Sequence, residues 1–287
     1  MNLTPLLKPF NLKYLITLSF SLLLQLACQA QPYTPISLTQ KIFSADSFPD
    51  LKKYCTGEYQ GRPNGQDLPP GAKVSCTLLA QNNRTAVVNV NLTNSSGQTY
   101  DMYLHLKKDS VWKAAAFRAL ALTGIIEEIN RQLKLLSPKQ VDSIIAAPGK
   151  AGKLFKSRAE YEFMLGNTTL TLASDSQLVA HFTKNKATFE SLKNDLLKNG
   201  ILKLDGSAKR TKNPDAMMKS LKDLRLESAF REREEVPHNI NFLIGGIIDN
   251  SVGYLYIPKE QNVPKMSPGE YIMIRKIVDG WYLYKTT

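Results

Sequence analysis

Thr85-Ala-Val-Val-Asn-Val-Asn-Leu92 alternates its side chains, placing Val88, Val90 and Leu92 on one face and Asn89 and Asn91 on the other. That two-residue period belongs to a strand with one dry and one wet side. The pattern continues in both directions. Downstream, the turn cluster Thr93–Gly97 leads into a segment with Tyr100, Met102, Leu104 and Leu106 on one face and Asp101, Tyr103 and His105 opposite. Lys108-Asp-Ser110 turns again, into Val111–Phe117. Upstream, Gln81–Arg84 joins the pattern to a further apolar run, Ala72–Leu79. Four such runs with turn residues between them predict an antiparallel meander whose polar face meets water. Its apolar face needs a cover. Thr123–Leu136, with Ile125, Ile126, Ile129 and Leu133 in a stripe, is the predicted helix for that role. Ahead of the meander, Gln31–Thr39 reads as a polar entry and Phe48–Tyr54 as a short helix leading to Cys55.

Ser137-Pro-Lys-Gln140 is a capping box with Pro at the first helical position, so a new helix starts there and stops at Pro148-Gly149. Residues 137–152 are therefore predicted as a helical linker between a domain of residues 31–136 and one of residues 153–287. In the second half, Ser174-Asp-Ser-Gln177 opens a helix bearing Leu178, Val179 and Phe182. Phe189, Leu192, Leu196 and Leu197 mark the next, which ends at Asn199-Gly200. A short strand (Ile201–Leu204), a basic loop and a helix (Pro214–Leu224) follow. Strands are predicted at Arg225–Phe230, Ile240–Ile248, Val252–Ile257 and Tyr271–Val278, with Trp281–Lys285 as a fifth. Asp249-Asn250 and Asp279-Gly280 read as two-residue hairpin turns, and Gly245-Gly246 as a bulge or a sharp bend in its strand. The expected fold class is α+β, with two domains that are each an antiparallel β-meander packed on helices.

Helices followed by curved strands resemble the NTF2-like and cystatin-like superfamily in element order, chiefly in the second half. The resemblance implies a sheet wrapped around helices as a cone, with a pocket in its mouth. Its members range from isomerases and cyclases to binding and assembly modules, so the architecture alone assigns no activity. Within such a mouth, the C-terminal aromatics Trp281, Tyr282 and Tyr284 are the candidate lining; closing the sheet is their other reading.

The 287 residues are 43% hydrophobic and 22% charged, which supplies a sizeable core and excludes a mainly disordered chain. The leader carries Lys8 and Lys13, no acid, and then the apolar run Tyr14–Leu26. As a helix this run would reach about 20 Å, short of a ~30 Å hydrocarbon core. Residues 1–30 therefore read as a signal peptide of an exported protein, periplasmic, secreted or attached to the outer membrane. Two processing readings stay open. Cys28 and Ala30 suit a cut before Gln31, whereas Leu26-Ala27-Cys28 resembles a bacterial lipobox, with Cys28 lipidated and Gln25 where the pattern prefers Leu. The Gln-Ala-Gln-Pro junction resembles leaders of Bacteroidota-type secreted proteins. Once Cys28 is removed or acylated, Cys55 and Cys76 are an even pair, expected as a disulfide in an oxidising compartment.

Lys and Arg number 37 against 25 Asp and Glu, a net charge of +12, but the basic residues are spread along the chain. Lys203–Lys212 holds an acid and a Gly-Ser-Ala stretch and reads as a solvated loop; Arg231–Glu235 is mixed in sign. Nucleic acid is not an expected partner. No Gly-x-Ser-x-Gly, His-Glu-x-x-His, phosphate-binding loop or Cys-x-x-Cys occurs. The three His, at 105, 181 and 238, have no metal-ligand spacing and read as a surface, a packing and a loop residue. No metal or cofactor is expected. The sequence points to a non-enzymatic binding or envelope-associated module for a small molecule, peptide or envelope component. The alternative is a cofactor-free pocket enzyme of NTF2-like type, using acid–base chemistry.

Overall fold

Asparagine side chains set the turns of the first sheet in the computed structural model, which describes residues 33–147, 149, 154–198, 215–230 and 239–287. Asn82 Oδ1 accepts from the Arg84 and Thr85 N–H groups, and Asn94 Oδ1 from those of Ser96 and Gln98. Before these turns, helix α1 (Pro35–Ile42) opens on a capping box between Thr34 and Ser37. Strands β1 (Lys73–Gln81), β2 (Thr85–Thr93), β3 (Thr99–Lys108) and β4 (Trp112–Arg118) then pair in chain order as the expected antiparallel meander. Val88 faces Leu104 and Val90 faces Met102 across the ladder.

The covers of this sheet differ from expectation. Its apolar face is packed by α1, through the buried Leu38 and Ile42, a helix that the polar composition of Gln31–Thr39 hides. Helix α2 (Thr123–Leu135), the predicted cover, instead packs on a later helix and leaves Ile125 54% exposed. The predicted wet face is covered too. Asn89, Tyr103 and His105 are all buried, because the second sheet and its helices lie against them.

Helix α3 (Pro138–Ala146) starts on the expected Ser137–Gln140 box. Helix α4 (Arg158–Thr171), absent from the sequence reading, is the element on which α2 packs. Helix α5 (Asp175–Lys184) starts on the expected Ser174–Gln177 box, and α6 (Lys186–Lys198) and α7 (Asp215–Asp223) follow. Strands β5 (Ser228–Phe230), β6 (Ile240–Ile247), β7 (Asn250–Tyr256), β8 (Tyr271–Val278) and β9 (Trp281–Thr286) form an antiparallel sheet in the order β5-β6-β7-β9-β8. The last strand inserts between β7 and β8, so this sheet is no simple meander. Asp279-Gly280 forms its hairpin turn as predicted, Gly280 at φ 77°. The other turn is one residue earlier than predicted, at Ile248-Asp249, since Ile247 pairs with Asn250. The bulge of this strand falls at Ile244, just before the Gly pair; Gly245 and Gly246 pair regularly with Val252 and Ser251, and a Cβ on Gly246 would lie 2.1 Å from the Asn250 carbonyl oxygen.

Two sheets of four and five antiparallel strands with seven helices among the described residues make the chain α+β, and residues 34–287 gather into one unit. Its main core is aromatic: Trp281 lies 5.0 Å from Phe182, 5.1 Å from Phe242 and 5.8 Å from Phe189, ring centre to ring centre.

The expected Cys55–Cys76 disulfide is not formed; both are free thiols. Cys55 bridges Ala114 of β4 from outside that edge, while Cys76 stands in β1 at the opposite edge. Four inter-strand spacings are about 19 Å in a flat sheet, against a Cα limit of ~7 Å for a disulfide. The Cys55 thiol donates instead to the Leu51 carbonyl. The leader with Cys28, the Ile201–Leu204 strand, the Lys203–Lys212 loop, the Arg231–Glu235 tip and His238 lie outside the described residues.

Candidate functional site

Strand β3 is longer than its neighbour β4. β2 pairs with it from Thr99 to Lys107, whereas β4 pairs only from Tyr103 to Lys108. After Arg118 the chain leaves the sheet. The Arg118 guanidinium donates to the Pro268 carbonyl and pairs with Glu58, and α2 begins after Leu122 at φ 59°. The gap beside Thr99–Met102 is a cleft of about 550 Å³. Its other walls are Ala119, Leu120 and the start of α2, and the Thr171–Ser174 segment with the first turn of α5. Asp101 and Lys285 reach it from below.

Beneath the cleft lies a buried polar cluster drawn from both sheets and α5. Asp175, 1% exposed, accepts on Oδ1 from the Tyr103 hydroxyl at 2.9 Å and from Lys285 Nζ at 2.9 Å. Its backbone N–H, a first-turn donor of α5, is taken by Asp101 Oδ2 at 2.7 Å. Asp101 Oδ1 in turn accepts from the Asn89 and Asn91 amides at 3.1 and 3.0 Å. Arg275 extends the cluster to Asn89 Oδ1 at 3.5 Å. Asp175 Oδ2 has no partner among the described residues.

Burial pushes the Asp101 carboxyl up, but Lys285, the Asp175 N–H and the two amides outweigh it and hold the group below its ordinary range. Burial, reinforced by Asp175 and Asp101, drives the Tyr103 phenol well above its usual value. His105 is the correction among the histidines. It is 5% exposed rather than on the surface, and burial beside Arg118 lowers its ring to about 4 against the pull of the Ile272 backbone and Glu58. His181 packs edge-on against Phe189, with Nε2 3.1 Å from the Leu224 carbonyl oxygen.

The three aromatics proposed from sequence are split between environments. Trp281 is enclosed in the aromatic core, its indole N–H donating to Glu190 Oε1 at 2.8 Å. Tyr284 is buried on the other face of β9 and donates to Asn241 Oδ1 at 2.9 Å. Tyr282 borders a separate groove with Met266, Ile274 and Lys276. Asp101, Tyr103, Asp175 and Lys285 escaped the sequence reading because each had a simpler role in a strand or at a helix start. The available signal was composition: Asn89, Asn91, Asp101, Tyr103 and His105 form a stretch of one face without a Lys or Glu, the long chains usual on a wet sheet resuming only at Lys107.

No group of three or more His, Cys, Asp and Glu side chains suited to a metal occurs among the described residues. Compared with protein-family models, curated proteins and solved structures, the chain finds no match.

Proposed function

We propose that the protein is an exported, non-enzymatic binding module that takes its ligand in the cleft between β3, α2 and α5. The observation that carries this reading is how the ionic groups under the cleft are spent. Asp101 and Lys285 are both engaged by protein groups, so apart from Glu127 at the lip a ligand meets walls of amide, hydroxyl and apolar surface. Such walls select by hydrogen bonding and fit. The basic leader with its short apolar run supports export, with the envelope as the site of action and lipidation at Cys28 as one means of attachment. No helix among the described residues is long and apolar enough to cross a membrane.

A second reading has its own observation in the Tyr103–Asp175–Lys285 cluster, a buried phenol, acid and amine beside a cleft. With the helices-then-sheet order of the second half, it supports a cofactor-free pocket enzyme of NTF2-like type. Amide-resonance mapping of the purified protein against a mixed panel of tripeptides, trisaccharides, amino acids and nucleosides separates the two. Perturbations clustered on Gln98–Met102 and Thr171–Gln177, with the bound compound recovered unchanged, are expected. Perturbations on another surface overturn the site, and a chemically altered compound overturns the non-enzymatic reading. The mass of the mature N-terminus tests export: a chain starting at Gln31 or at acylated Cys28 is expected, and an uncleaved Met1 overturns it.

A further inference from the structure

We infer that the cleft accepts an extended peptide segment, which adds as a short strand to the edge of β3 that β4 leaves uncovered. This rests on the cleft reading above and deepens it by naming the ligand class. The uncovered stretch, Thr99–Met102, has β2 on one side and the cleft on the other. A strand edge presents backbone N–H and C=O groups at every second residue, and an incoming strand satisfies them without regard to its side chains. At ~3.4 Å per residue the stretch is about 14 Å long, room for roughly four peptide residues. The edge is recessed between α2 and the Thr171–Ser174 segment, which admits a single narrow chain and keeps broad sheet edges out.

The lining suits side chains that alternate along such a strand. Leu120, Leu172 and Met102 offer apolar surface, and Gln98, Thr123 and Gln177 offer neutral hydrogen-bonding groups. Charge selects further. Asp101 and Lys285 are already engaged, while Glu127, exposed at the lip on α2, has no partner among the described residues. The favoured segment is free of acidic residues, apolar and neutral along its length, with a Lys or Arg at the end beside α2.

A pooled library of capped hexapeptides, passed over the full chain, is the direct test. Retained peptides are expected to lack Asp and Glu and to slow amide hydrogen exchange at Thr99 and Asp101, the residues of the stretch whose N–H groups point away from β2. N-methylation at alternate residues of a retained peptide removes donors and keeps side chains, and should weaken binding about tenfold or more. Glu127→Lys should weaken a Lys-terminated peptide by about threefold at low salt, with the melting temperature unchanged. Equal binding of methylated and unmethylated peptides overturns strand addition. Maltotriose perturbing the cleft amides while no peptide is retained overturns the peptide class and leaves the cleft as the site. Peptide-induced perturbations confined to other surfaces overturn both.

Discussion

The two faces of the first sheet were built from the same alternation and met different fates. The Val88, Val90, Leu104 and Leu106 face is dry and lies under α1, as an apolar face must. The opposite face carries Asn89, Asn91, Asp101, Tyr103 and His105, and it too is covered, by the second sheet and the start of α5. Alternation states which side chains share a face. It does not state what lies over them. The polar face stays tolerable when buried because nearly every group on it has a partner, some within the sheet and others far along the chain, as with Asp175 on Tyr103 and Arg275 on Asn89.

The difference makes the polar face the more fragile of the two. Asp175→Ala leaves Lys285 charged and buried and Tyr103 without its acceptor, and should cost about 3–5 kcal/mol. Urea unfolding of the purified protein measures it. The pair Asp175→Leu with Lys285→Met should cost less than the two single changes added together, because the second change removes the orphaned charge. Additive costs would show that the two groups do not act as a pair.

On the apolar face, Leu104→Ala should cost about 2–4 kcal/mol by lost transfer and cavity formation, a penalty insensitive to pH. This is the control against which the polar face is judged. If Leu104→Ala proved the larger loss, the buried ionic cluster would be a minor feature of a conventionally packed sheet.

Much of this architecture could be read along the chain, and the readable parts share a cause. The Ser137–Gln140 and Ser174–Gln177 boxes, the Asn-based turns and the Asp279-Gly280 hairpin are local, each decided by residues within four positions of one another. Helix α4 was not readable, because Thr168, Thr169 and Thr171 weaken its pattern; in the folded chain their hydroxyls donate back to carbonyls of the same helix. The insertion of β9 between β7 and β8, the burial of His105 and the Asp101–Asp175–Lys285 cluster all depend on pairings between distant residues. No local pattern encodes those. The cleft was invisible for the same reason, since it exists only because β4 departs from β3 at Arg118 and the α4–α5 connection arrives beside the gap.

Titration separates the faces in a different way. The His105 ring is lowered in the folded protein from 6.5 to about 4, so the unfolded chain binds a proton more readily over that interval. Stability is fully present above pH 6.5 and falls by about 2–3 kcal/mol as the pH drops to about 4. His105→Leu should flatten this slope. Asp101 acts lower on the scale: its depressed carboxyl stabilises the fold above the ordinary range, and that share is lost as the pH falls through its folded value. Urea midpoints at intervals from pH 7 to pH 3 would resolve the two. An unchanged slope in His105→Leu would assign the loss to another group.

The smallest change tests whether the polar face behaves as a set of separate bonds or as one network. Asn91 gives a single hydrogen bond to Asp101 and is only half-buried, whereas Asn89 also reaches the Met102 carbonyl and faces Arg275. Asn91→Ala should therefore cost about 0.5–1.5 kcal/mol, the net worth of one ordinary hydrogen bond, because at this half-buried position water can take the place of the amide on Asp101. Asn89→Ala should cost more, because it removes the bonds to both Asp101 and Met102 and leaves Arg275 without its acceptor. The Asp101 carboxyl, followed by its carbon resonance, should titrate higher in either variant, since each removes a donor that stabilises the charged form. A loss from Asn91→Ala as large as that from Leu104→Ala would mean that the bonds strengthen one another and fail together. In that event the polar face would be a single cooperative unit, and the cleft above it would share its fate.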